Sequence, residues 1–136
     1  MSDALRPKPE PTEFSQPFWD ACERGELMVQ RCTACETLRH YPQPLCPACQ
    51  STGYDWARLS GRGVIYSYTV AHRAFHPAWA GHVPYVLATI ELDEGVRMMC
   101  DLLDVEPDTV AIGQRVEACF EELPGQGVMP RFRVVE

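Results

Sequence analysis

Residues 32–49 read CTACETLRHYPQPLCPAC, two Cys-x-x-Cys pairs, Cys32/Cys35 and Cys46/Cys49, with ten residues between them. Two close pairs joined by a short hairpin present four thiolates at the corners of a tetrahedron, the arrangement of a structural zinc site. Zinc is the expected ion. Rubredoxin-type iron is the main alternative, because tetrahedral sulphur does not discriminate by geometry. Four free buried thiols are a further reading, and disulfides fit least, since nothing in the chain signals export. A four-cysteine site leaves no open position for water, so its expected role is scaffolding and not catalysis. Glu36 and Gln50 follow the two pairs, where a sharp bend favours glycine. A left-handed backbone at such a position costs about 1–2 kcal/mol, against zinc binding on the order of 10 kcal/mol.

The cysteine module reaches outward to about 26–57. Leu27, Val29 and Arg31 alternate on the way in, and Tyr54 and Trp56 on the way out. Before it, residues 14–25 carry a short helix from about Gln16 to Arg24. Ser15 is the expected cap, Pro17 suits the first turn and Gly25 the end. Phe14, Phe18 and Cys22 recur every four residues, with Trp19 beside the stripe. A helix this short does not stand alone, so its aromatic face must dock on the rest of the chain or on a partner. Residues 1–13 hold Pro7, Pro9 and Pro11 among charges and read as a flexible proline-rich arm.

After the glycine-rich SGRG at 60–63, residues 58–136 are a succession of strands. VIYSYTVA (64–71), YVLATIEL (85–92), VRMMCDLL (96–103), RVEACFEEL (115–123) and RFRVVE (131–136) are β-branched, aromatic or alternating. DEG at 93–95 is a hairpin turn, PDTVAIG (107–113) a turn-rich connection, and LPGQGVMP (123–130) a loop. The expected fold is therefore mostly β: a short N-terminal helix, a rubredoxin-like zinc ribbon, then a five-stranded barrel of the OB type.

Composition narrows the function. The 136 residues hold 12 Lys+Arg against 19 Asp+Glu, a formal charge of −7. Phosphate-backbone affinity comes from Lys and Arg, so nucleic acid is not the expected partner, although a ribbon and a barrel can serve single-strand binding through tyrosines such as Tyr66, Tyr68 and Tyr85. No apolar run reaches membrane-span length, and the start has no signal-peptide pattern, so a cytoplasmic location without a membrane partner is expected. No serine elbow, HExxH or phosphate loop is present. Asp101, Asp104, Glu91 and Glu94 fall near strand ends, where solvated charge is commonplace. Cys22, Cys100 and Cys119 read as packing residues. The loop AHRAFHPAWAGHVP (71–84) gathers His72, His76 and His82 with Phe75 and Trp79. Its expected role is contact with a partner or ligand, or folding back on the barrel.

Taken in order, FWDACERGELMVQRCTACETLRHYPQPLCPACQS, SGRGVIYSYTV, PYVLATIELDEGVRMMCDLL, IGQRVEACFE and MPRFR resemble an acyl-CoA-associated family of small proteins. Its members have an N-terminal helix, a rubredoxin-like zinc ribbon and a C-terminal OB-fold, and were long filed as a domain of unknown function. The resemblance runs from about Phe14 to Arg133. It implies a non-catalytic accessory subunit of a thiolase-superfamily or lipid-transfer-protein-like enzyme in a hetero-oligomer. The archaeal acetoacetyl-CoA thiolase with hydroxymethylglutaryl-CoA synthase, and the aldolases of bacterial steroid side-chain degradation, are such partners; hot-dog-fold hydratases accompany related domains. The family's scaffold stabilises the enzyme and contributes to binding CoA thioester. Carried over, Cys32, Cys35, Cys46 and Cys49 are the zinc ligands, and Gly61 and Gly63 the joint between ribbon and barrel. Phe18, Trp19, Phe75, His76 and Trp79 are candidates for partner or acyl-CoA contact. Gln43 stands where the family often has Arg, so direct CoA contact through this hairpin is expected to be weaker. A stand-alone acyl-CoA-binding protein and a single-stranded nucleic-acid module are the alternative functions.

Overall fold

The computed structural model describes residues 10–74, 77, 81, 83–123 and 127–135. Along them run α1 (Gln16–Glu23), β1 (Leu27–Cys32), β2 (Leu38–Arg39), β3 (Tyr54–Leu59), β4 (Arg62–Ala71), β5 (Tyr85–Leu92), β6 (Arg97–Asp101), a 3₁₀ turn (Pro107–Thr109), β7 (Arg115–Leu123) and β8 (Gly127–Val134). Ser15 occupies the N-cap of α1 as expected, but its side chain makes no capping hydrogen bond. Its hydroxyl instead accepts the Thr12 N–H at 2.8 Å, closing a turn that leads into the helix. The other end is as expected: Gly25 takes φ +74°. The Gly25 N–H reaches the Cys22 carbonyl at 3.0 Å and the Glu26 N–H the Ala21 carbonyl at 2.9 Å, a Schellman termination. Phe18, Ala21 and Cys22 are buried, and that face packs on β8 and β1.

β2, β1 and β3 form a three-stranded antiparallel sheet with β1 central. The other five strands run in the order β6-β5-β4-β7-β8, all antiparallel neighbours. A parallel bridge between Leu102 and Phe132 joins the two ends, and the Leu103 N–H bonds the Phe132 carbonyl at 2.8 Å. The result is a nearly closed five-stranded barrel, the OB-fold arrangement, in which closure joins the first and last strands of the ladder. β5 buries Val86, Ala88, Ile90 and Leu92 in strict alternation, and with Ile65, Val116 and Phe132 these fill the interior. The same apolar cluster continues through Phe18, Cys22, Leu27, Val29 and Leu59, so helix, ribbon and barrel share one core.

Three of the five barrel strands differ in their limits from the sequence expectation, and β6 is shorter than the expected 96–103. β4 starts at Arg62, because Gly63 lets the chain pass close to β5: a Cβ there would lie 3.0 Å from the Leu92 Cα and collide with the Glu91 carbonyl. β8 starts at Gly127, inside the stretch expected to be a loop, with Leu123 paired to Gly127 and Phe120 to Pro130. Pro130 is tolerated because β8 ends the ladder of hydrogen-bonded neighbours, where an N–H can be spared.

Candidate metal centre and apolar groove

The two cysteine pairs fold into matching turns. The Glu36 N–H bonds the Cys32 carbonyl at 2.9 Å and the Gln50 N–H the Cys46 carbonyl at 2.8 Å. Glu36 and Gln50 are both left-handed, at φ 64° and 65°, so the strain anticipated for non-glycine residues is present at each. Cys32 and Cys46 are buried, Cys35 and Cys49 exposed. All four Sγ atoms lie within 4.8 Å of one another, with Cys32–Cys49 at 3.5 Å and Cys35–Cys46 at 3.6 Å. A tetrahedron with metal–sulphur bonds of about 2.3 Å has edges of about 3.8 Å, so the donor set fits a metal ion. Backbone N–H groups of Cys35 and Ala34 pull the Cys32 thiol down to about 6, and those of Cys49 and Ala48 lower Cys46. Cys49 receives the Ser51 N–H, which lowers it, yet its sulphur neighbours outweigh this and raise it to about 12. Four thiolates this close repel one another, and a cation relieves that repulsion.

β1 and β2 also bury a charge. Arg39 is 4% and Gln30 0% exposed. Arg39 Nε donates to Gln30 Oε1 at 2.7 Å, and Nη2 to the Gln43 carbonyl at 3.1 Å. The Gln43 N–H returns to Gln30 Oε1 at 2.8 Å, and the guanidinium lies 5.6 Å from the Tyr54 ring centre. The hairpin is thus held by the backbone of Gln43, not its side chain. Sequence reading passed over Arg39 and Gln30: Gln30 is out of phase with the core-facing Leu27 and Val29, and β2 is only two residues long, so no alternation marked either of them.

His40 follows, its ring 5.1 Å from Phe18 and 4.3 Å from Tyr41. Burial drives its pKa down to about 4, so it is neutral at pH 7. It forms one wall of a groove of about 360 Å³ between α1, the ribbon hairpin and the barrel face of β5, β6 and β8. Trp19, Tyr41, Met99 and Pro130 also line it. Trp19 stands edge-on to Phe18 at 5.0 Å. Phe18 also lines it but is 5% exposed and belongs to the core. Asp101 reaches the groove but is paired with Arg131 at 2.8 Å. The groove is therefore apolar and carries no unpaired charge from these groups. Phe75, His76, Trp79 and His82 lie outside the described residues.

The remaining candidates have ordinary environments. Burial raises the thiols of Cys22 and Cys100 to about 12 and also raises Cys119, which leaves them weak nucleophiles. Glu91 pairs with Arg97 at 3.3 Å, and Glu94 accepts the Ser60 N–H at 2.8 Å. Tyr66 and Tyr68 are exposed, and Arg97 lies 3.7 Å from the Tyr66 ring centre. No helix among the described residues is long and apolar enough to cross a membrane.

Fold and site together define a helix-capped zinc-ribbon and OB-fold protein whose four thiols form one candidate metal centre. Two family models match it: the rubredoxin-like zinc ribbon domain of ChsH2 over residues 19–55, and the C-terminal OB-fold domain of ChsH2 over residues 56–121. The chain belongs to the DUF35 family, with the ChsH2 type of ribbon and barrel. It is 38% identical over 106 residues to a DUF35 domain-containing scaffold protein of Methanocaldococcus jannaschii, covering 77% of this chain and 74% of that one. It is 41% identical over 130 residues to a probable enoyl-CoA hydratase alpha subunit of Thermomonospora curvata, covering 96% of this chain but only 40% of that longer subunit. Among solved structures, a chain of the Ltp2-ChsH2(DUF35) aldolase superimposes with a TM-score of 0.85 at 38% identity, covering 93% of this chain and 98% of that one.

Proposed function

We propose that the chain is a non-catalytic accessory subunit that binds and stabilises an acyl-CoA enzyme of the thiolase-superfamily or lipid-transfer-protein-like type. Its partner would perform thiolysis, condensation or retro-aldol cleavage of CoA thioesters, steroid side chains among them, and would hold the catalytic residues. The observation that carries the reading is the end-to-end likeness to a chain solved within an aldolase complex. The four-thiol centre supports it, as do the weakly nucleophilic remaining cysteines. Zinc in the Cys32, Cys35, Cys46, Cys49 site holds the hairpin that carries Arg39 and His40, and so shapes the groove wall. Trp19 and Tyr41 are the aromatic anchors offered there, a residue type that dominates binding energy at protein interfaces. The loop bearing Phe75, His76 and Trp79 is the second contact region, and CoA thioester is met through the partner.

Co-expression with the thiolase-like or lipid-transfer-protein-like enzyme of the same organism tests this. The expected result is a stable complex, with the enzyme inactive or short-lived alone and restored by this chain, and with Trp19→Ala weakening association at least tenfold. Turnover of acyl-CoA by the pure chain, or an enzyme indifferent to its presence, would overturn the reading.

A further inference from the structure

β4 outruns the strand beside it. Its pairing with β7 covers only Arg62–Val64. Among the described residues Ile65 is the last one bonded on that side, its N–H to the Gln114 carbonyl at 3.0 Å and its carbonyl from the Gly113 N–H at 2.9 Å. From Ser67 to Ala71 the ladder continues, among the described residues, with β5 alone.

The direction of the backbone groups follows from parity. The Leu92 N–H bonds the Val96 carbonyl, and the Val86 carbonyl takes the Leu102 N–H. Even-numbered residues of β5 therefore turn their polar groups towards β6, and odd-numbered ones towards β4. Thr89, Leu87 and Tyr85 face Ser67, Thr69 and Ala71, so those three residues of β4 turn inward. Tyr68 and Val70 turn outward, presenting two N–H and two carbonyl groups to an edge with no strand partner among the described residues. Tyr66, Ser67, Tyr68 and Thr69 are all exposed. Gly63–Ala71 contains no charge and no proline, the usual means of protecting such an edge; a bulge between Ile65 and Ser67 lies at its inner end.

We propose that this edge pairs antiparallel with β4 of a second copy of the chain, about a two-fold axis passing between the two Thr69 residues. In that register Tyr68 faces the second copy's Val70, and Val70 the second copy's Tyr68. The outward groups then form four N–H···O=C bonds, and the seam is isologous as a two-fold interface must be. Tyr68 and Val70 lie opposite the buried Ala88 and Val86, hence on one face of the ribbon. Each Tyr68 ring thus meets the Val70 of the other copy, a favourable aromatic and β-branched cross-strand pair. The uncharged stretch brings no like charges into contact, although each chain carries −7. Screening of the remaining long-range repulsion makes association tighten as salt rises.

The test is light scattering and sedimentation of the full chain across concentration, at low and high salt. The expected mass rises from 15.4 kDa towards twice that value, more readily in high salt. Tyr68→Pro removes an N–H that no strand pairing among the described residues uses, a substitution an open edge tolerates; it is expected to stay monomeric with an unchanged melting temperature. Tyr68→Ala keeps the N–H and loses only the ring, so it should weaken the dimer several-fold without abolishing it. A wild-type chain that remains monomeric at the highest concentration overturns the proposal. So does a Tyr68→Pro chain that dimerises normally, or one that loses its fold, which would mean that the edge is covered within the chain. A monomeric wild type that loses its enzyme partner on Tyr68→Pro would assign the edge to that enzyme and equally overturn pairing between copies.

Discussion

Arg131 on β8 grips Asp101 at the end of β6 with both arms of its guanidinium, Nη2 to Oδ2 at 2.8 Å and Nε to Oδ1 at 3.1 Å. Nη1 reaches Glu121 of β7 at 3.3 Å. The two side chains are only 13% and 17% exposed, and they sit beside the Leu102–Phe132 bridge where the barrel closes. One forked cation thus ties three strands at the seam.

Because the pair is largely shielded from water, Asp101→Asn is expected to destabilise the fold by about 1–3 kcal/mol, read as a lower urea midpoint with an unchanged slope. An unchanged midpoint would show that the bridge alone closes the barrel.

Cys32→Ser should abolish stoichiometric metal binding and unfold the ribbon, since the metal's binding energy, on the order of 10 kcal/mol, is folding energy for so small a module. Metal analysis and thermal melting check this. A variant that keeps its metal and its melting temperature would remove Cys32 from the ligand set.

His40 makes stability depend on pH. Its pKa is about 4 in the fold against an ordinary 6.5, so the unfolded chain binds the proton more readily between those values. Its contribution is fully present above about pH 6.5 and is lost as pH falls towards 4, amounting to about 3 kcal/mol in total. Urea midpoints of the wild type and of His40→Phe at pH 7 and pH 5 isolate it: the wild type should lose more on acidification.

Gly63→Ala should cost more than about 2 kcal/mol, because the added Cβ meets the backbone of β5 and not a flexible side chain. Ala substitution at Gly25, where nothing lies within 4 Å, meets only the left-handed backbone penalty of about 1 kcal/mol. Reversal of that order in denaturation experiments would contradict the close approach at Gly63.

Much of this architecture was legible because its signals are local. The cysteine spacing announces the ribbon, and alternation at Val86, Ala88, Ile90 and Leu92 announces a strand with one buried face. Ser15 marked the start of the helix but not the partner of its side chain, because a hydroxyl before a helix has two choices, and here a turn with Thr12 wins. The start of β8 was hidden since Gly127 and Pro130 weigh against a strand, and only pairing with β7 makes them one. Arg39 was invisible for a different reason. No local pattern says that a charge will be buried against Gln30 and the Gln43 carbonyl, as those partners meet only when the hairpin folds. The groove is a product of three elements docking, so its aromatic members were legible singly but its shape was not.

The four thiols divide into an inner pair, Cys32 and Cys46, and an outer pair, Cys35 and Cys49. An ion held between them has two corners anchored in the core and two open to solvent, so ligand substitution can begin at one face while the other still holds. Metal exchange is then expected to proceed stepwise, beginning at the exposed Cys35 and Cys49. Because ribbon and barrel share one core, departure of the ion should loosen the barrel as well.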